Sequence, residues 1–137
     1  MKHNIKTLKI KTNGEGFYEF TSDLTKYLSD KKIKNGLLTI YVQHTSCSLL
    51  IQENADSDVQ KDLLDYFSKI VPENGNYIHQ SEGPDDMPAH IKSSLTQTSL
   101  SIPIENFQIT LGTWQGIYLF EHRIIPHTRI IKLHLIG

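Results

Sequence analysis

Leu38, Ile40 and Val42 alternate with Thr39 and Tyr41, so the segment from Leu37 to His44 reads as an extended strand with one apolar face. His44 keeps phase with that face and is expected to point inward. Thr45 to Ile51 reads as a continued or kinked strand. Helical spacing then takes over from Asp56 to Ile70, with Val59, Leu63, Leu64, Phe67 and Ile70 on one side, aspartates in the first turn and Pro72 as the stop. A shorter helix is predicted from Thr21 or Ser22, either a competent N-cap, through Leu24, Tyr27 and Leu28 to the Lys31–Gly36 segment. A third starts around Pro88, with Asp86 or Met87 near its cap, His90 in its first turn and Ile91 and Leu95 spaced to pack.

Strand-like runs fill the rest: Lys6 to Lys11, Phe17 to Phe20 after a Gly14–Gly16 turn, Leu100 to Ile104, Phe107 to Leu111, Gln115 to Glu121, and Arg129 to Ile136 with Ile131, Leu133 and Leu135 alternating. Short turns between them favour antiparallel neighbours. Two or three helices against a mixed, mostly antiparallel sheet is an α+β arrangement. No repeat, low-complexity tract or linker divides the chain, so residues 1–137 are expected to form one domain.

Composition narrows the function classes. A formal charge of -1 and 21% charged residues give no basic excess for nucleic acid. No eighteen-residue apolar run and no signal-like start occur, which predicts neither membrane nor export and implies the cytoplasm. One cysteine, Cys47, rules out an internal disulfide, and its apolar flanks argue for core rather than a thiol nucleophile. Neither a Gly-x-x-x-x-Gly-Lys loop nor Gly-x-Gly-x-x-Gly is present.

The stretch from Tyr77 to Lys92 carries residues a core does not need: His79 and His90 flank Glu82, Asp85 and Asp86, with Gly83, Pro84 and Pro88 shaping the backbone. Taken singly, each histidine has an ordinary explanation as a satisfied core or surface group. Taken together, His44, His79 and His90 can form the three protein ligands of an open tetrahedral site, for zinc foremost or another first-row divalent ion. Asp85, Asp86 and Asn54 are candidate acceptors behind the imidazoles, while Asp85 and Asp86 can equally cap a helix. Carboxylates here can also hold magnesium against a diphosphate.

His44-Thr-Ser-Cys-Ser48, Asn54, Val71-Pro-Glu-Asn-Gly-Asn-Tyr77 with His79, Glu82 through Ser94, and Gly112-Thr-Trp-Gln-Gly-Ile117 through Arg123 closely resemble the YjbQ-like family over nearly the whole chain. The resemblance implies an α+β fold with a sheet curved as a half-barrel, a homotrimer, and secondary thiamine-phosphate synthase activity. Gln80 stands where the family pattern is acidic and Pro84 where alanine is common, so position 80 is given no role.

On that resemblance Thr45 and Ser46 line the site and their hydroxyls meet phosphate. Trp114 offers an aromatic ring, although a lone tryptophan is more often core, and Gln115 is the polar candidate beside it. Glu121, in phase with apolar Ile117 and Leu119, is either a general base or half of a structural ion pair. Lys92 and Arg123 are the cations expected at phosphate, whereas Arg129 reads as solvated surface charge. The expected reaction joins a pyrimidine-methyl diphosphate to a thiazole phosphate with loss of diphosphate. A metal-dependent phosphoester hydrolase and a non-catalytic binder of a phosphorylated metabolite are the alternatives.

Overall fold

The computed structural model describes residues 1–137 as eight strands and three helices: β1 (His3–Thr12), β2 (Gly16–Glu19), α1 (Thr21–Leu28), β3 (Gly36–Val42), β4 (Cys47–Glu53), α2 (Ser57–Ile70), α3 (Asp86–Leu95), β5 (Ser99–Glu105), β6 (Gln108–Ile109), β7 (Gln115–Glu121) and β8 (His127–Ile136). Five strands pair in the order β1-β8-β3-β5-β6 and three in the order β2-β7-β4, with every neighbour antiparallel. The strands curl as a half-barrel in the expected α+β fold. Leu38, Ile40, Leu133 and Leu135 from the larger sheet share one core with Leu49, Ile117 and Leu119 from the smaller. The alternation that predicted the strands is therefore the pattern that buries their inner faces.

β1 runs longer than Lys6–Lys11 because ten of its residues ladder onto β8. β6 is only two residues, since Asn106 and Phe107 adopt φ of 50° and 67° to turn the chain after β5. Gly36 opens β3 where a side chain has no room: a Cβ there would stand 2.3 Å from the Ile136 carbonyl oxygen.

α1 buries Leu24, Tyr27 and Leu28 as their spacing predicts, whereas α2 and α3 pack differently from theirs. α1 has Phe20 at its N-cap with no side-chain cap; Thr21 instead donates to Glu19 Oε2 and accepts from the Ile117 amide. α2 has Asp56 as its N-cap, accepting from the Asp58 amide, yet none of its residues is fully buried. Its half-buried Phe67 meets Phe120 at 5.4 Å between ring centres. In α3 the predicted packing residue Leu95 is 58% exposed. Ala89, Lys92 and Ser93 are buried instead, so this helix docks largely through polar groups.

Candidate functional site

The chain leaves β7 at Glu121 and presents Arg123 to the start of α3. Arg123 Nε donates to Asp85 Oδ2 at 2.9 Å, Nη1 to Asp86 Oδ1 at 2.8 Å, and Nη2 to the Glu82 carbonyl at 2.8 Å. Asp85 also accepts from the Ile124 amide at 2.9 Å. The planar guanidinium thus holds two adjacent carboxylates in fixed positions, which a lysine could not do. Neither aspartate caps the helix: Asp85 occupies the N-cap place without a side-chain cap bond, and Asp86 lies inside the first turn at 1% exposure. Burial pushes both carboxyls up. The Ile124 amide and Arg123 at Asp85, and His79, His90 and Arg123 at Asp86, outweigh it and hold both below the usual carboxylate range.

Asp86 is also where two imidazoles meet. His79 Nε2 is 2.7 Å and His90 Nε2 3.3 Å from Asp86 Oδ2, and the two rings are 5.4 Å apart. One donor atom from each of the three residues lies within 4.8 Å of the others. His90 Nδ1 is 2.9 Å from the Thr45 carbonyl, which can only accept, so Nδ1 carries the proton. Nε2 then faces the carboxylate oxygen either as a second N–H donor or, without that proton, as a lone pair. Two acceptors this close need a proton or a cation between them. Two imidazoles and a carboxylate are a donor set of the kind that zinc or a similar borderline divalent ion takes.

The sequence reading grouped His44 with His79 and His90; in the fold the third group beside those two is Asp86. His44 Nε2 accepts from the Ile130 amide at 2.8 Å and Nδ1 is 3.4 Å from Arg129 Nη1. Burial, followed by the Arg129 charge, lowers its pKa. His44 does share a cavity of about 210 Å³ with His90, lined also by Thr45, Ser93, Ser94 and Thr98. A second cavity of about 240 Å³ lies along His79, with Tyr77, Gln80, Gly83 and Met87 in its wall.

Glu121 is wholly buried and its oxygens are fully engaged. It accepts from Thr12 Oγ1 at 2.6 Å, from Arg129 Nε at 2.7 Å and Nη2, and from the amides of His122 and Arg123. Burial raises its pKa but the Arg129 and Thr12 hydrogen bonds hold it low. Of the two roles open to it, this geometry is that of a structural ion pair, leaving no lone pair for a substrate proton. Arg129, expected in solvent, is 3% exposed because Glu121 neutralises it across the β7–β8 connection. Its Nη2 also donates to the Ser46 carbonyl and hydroxyl, at 3.2 and 3.0 Å. Ser46 is consequently occupied in fixing the turn before β4.

Asn54, Trp114 and Gln115 lie at the other end of β7, six residues from Glu121 and so about 20 Å away along the strand. Asn54 Nδ2 reaches Glu19 at 3.2 Å, Gln115 Oε1 accepts from the Gly112 amide at 2.8 Å, and Trp114 is 62% exposed. They are therefore apart from the histidines along the chain's own fold. Lys92, two residues beyond His90, faces away from it on the helix and donates to Glu15 at 3.0 Å.

Sequence reasoning passed over His122. It is 1% exposed, its Nε2 is 2.9 Å from Ser48 Oγ, and Thr96 Oγ1 lies 2.6 Å beyond that hydroxyl. Its Nδ1 has no partner. Burial, then the Lys92 and Arg129 charges, push its pKa down to about 3. The available signal was its place next to in-phase Glu121 at the end of a buried strand. Asp86 and His90, four apart on a helix, were also a legible same-face pair.

Comparison with known proteins adds a family. The model described as UPF0047 protein YjbQ-like matches residues 6–137. The chain is 50% identical over 131 residues to UPF0047 protein sll1880 of Synechocystis, covering 95% of this chain and 89% of that protein. It is 46% identical over 133 residues to UPF0047 protein YjbQ of Escherichia coli O157:H7, covering 96% of each. Among solved structures, an uncharacterised conserved yjbq/upf0047 family protein from Clostridium acetobutylicum superposes with a TM-score of 0.86 at 36% identity, covering 97% of this chain and 99% of that one.

Proposed function

The chain belongs to the UPF0047 family of YjbQ-like proteins, and on that premise we propose that it is a metal-dependent secondary thiamine-phosphate synthase. His79, Asp86 and His90 hold a divalent ion, zinc foremost and magnesium with a diphosphate substrate, in a homotrimer. The observation that carries the reading is the convergence of a ring nitrogen from each of His79 and His90 and an Asp86 oxygen within 4.8 Å of one another, with His90 Nδ1 fixed on the Thr45 carbonyl. A divalent ion there supplies Lewis-acid stabilisation of negative charge on phosphate oxygens.

The chain's own groups do the rest. Hydroxyls of Thr45 and Thr98 beside His90 donate to oxygens of the departing diphosphate, while that of Ser94 already donates to the His90 carbonyl. The cavity walled by Tyr77 and Met87 takes the flatter, less charged part of the substrate. Arg123 acts through Asp85 and Asp86, since its donors are already engaged there, and is a positioning residue. In this reading Gln115, Asn54 and Trp114 reach substrate only from a neighbouring subunit, and Lys92, buried against Glu15, supports α3 rather than touching substrate.

Metal content per folded subunit should fall in His79→Ala, His90→Ala and Asp86→Asn but not in His44→Ala. Incubation with the pyrimidine diphosphate and the thiazole phosphate should yield thiamine phosphate and diphosphate, lost on chelation. Hydrolysis of generic phosphoesters without coupling would favour the hydrolase; binding without any product would favour the binder. No helix is long and apolar enough to cross a membrane.

A further inference from the structure

A cavity of about 300 Å³ opens between β1 and α1, floored by Leu8 and Leu133 and rimmed by Lys6, Lys26 and Lys31. Lys6 pairs with Leu133, six residues along β1 from Thr12, so this cavity is about 20 Å from the Thr12–Glu121 contact. It shares no residue with the cavities beside the histidines.

Three features set it apart from ordinary surface. Tyr27, in its wall, is 6% exposed, yet its hydroxyl has no hydrogen-bond partner. A buried hydroxyl left unpaired is destabilising, so the fold tolerates a donor here that it does not use. The Lys31 and Lys6 ammoniums stand 4.9 and 5.8 Å from the centre of the same ring. Two like charges thus stand within cation–π range of one aromatic ring. Asp30 neutralises Lys31 at 3.2 Å, and Asp23 is the remaining acid in the wall, so three lysines against two aspartates leave one positive charge in excess. Burial, and then Asp30, raise the Tyr27 pKa, which keeps its proton in place as a donor.

We propose that this cavity is a second ligand site that binds a small oxyanion, a phosphate or carboxylate group, through the Tyr27 hydroxyl and the Lys6 and Lys31 ammoniums, with an apolar stem on Leu8 and Leu133. Such a ligand brings the acceptor that the Tyr27 hydroxyl lacks, and competes with Asp23 and Asp30 for the lysines. Its excess charge excludes cations, and its apolar floor distinguishes it from a solvated lysine cluster.

The test is a titration of the full-length protein with inorganic phosphate, and separately with acetate, at constant ionic strength, followed by backbone amide resonances. Saturable shifts are expected at Lys6, Leu8, Tyr27 and Lys31 with one of the two anions. Tyr27→Phe should weaken that binding about threefold to tenfold, the loss of one hydrogen bond, while leaving the melting temperature unchanged or higher. Lys6→Gln with Lys31→Gln should abolish saturation. Shifts that stay linear with both anions, or that saturate identically in Tyr27→Phe, overturn the proposal. Saturable shifts confined to residues around His79 and His90 also overturn it, without touching the metal-site reading.

Discussion

The burial of His122 makes stability depend on pH in a window that few other groups share. Its ring is neutral in the fold, with a pKa near 3 against 6.5 for the unfolded chain. Below about pH 6.5 the unfolded state therefore takes up a proton that the folded state refuses, so stability falls as pH falls and is regained on raising it. Integrating the linkage between pH 7 and 5 gives a loss of about 2 kcal/mol from this residue alone. The buried carboxylates Asp85, Asp86 and Glu121 have the same sign but act only at lower pH, where unfolded carboxyls protonate. His44, also lowered, adds to the total and must be controlled for. Urea unfolding of the wild type and of His122→Leu, at matched protein concentration and at pH 7, 6 and 5, isolates the term. The variant loses the Ser48 contact and starts less stable, but its profile should be flatter by about 2 kcal/mol over that range. Parallel profiles would show that His122 is not held neutral, and the account of its burial would fall.

Two further predictions follow from contacts already described. Arg123→Lys should cost about 2–4 kcal/mol in urea unfolding, because one ammonium replaces a fork that bridges Asp85, Asp86 and the Glu82 carbonyl; a change below about 0.5 kcal/mol would contradict that bridging role. Gly36→Ala should lower stability by about 1–3 kcal/mol in thermal or urea melts, since its Cβ would meet the Ile136 carbonyl at 2.3 Å; a neutral outcome would mean that β3 and β8 can part there.

Period-two alternation located β3 and β8 nearly to their final bounds because their inner faces are buried, and Gln115–Glu121, buried on both faces, was read with its final bounds from its β-rich composition. Local pattern failed where the decisive partner is distant in sequence. Arg129 looked like surface charge because nothing nearby announces Glu121 eight residues before it, or that Ser46 completes the buried network. Leu95 looked like a packing residue by spacing, but α3 is turned so that Ser93 and Thr96 bond to Cys47 and Ser48 of β4. The loop histidines were legible as a group through their density and the nearby acids. Which third residue joins His79 and His90 was not, since it depends on Arg123 fixing Asp86 and on Ile130 engaging His44.

α2 keeps every side chain at least partly in water, and it leads directly into the segment that carries His79. Detaching it would expose far less apolar area than opening either sheet, so its amides should exchange at a lower free energy than those of β7 or β8. His90 would stay put in such an excursion, tethered by α3 to β4. Between α2 and His79 the chain is pinned by buried Val71 and by the His79–Asp86 contact, so one imidazole of the pair hangs on two footholds while the other is bolted to the frame.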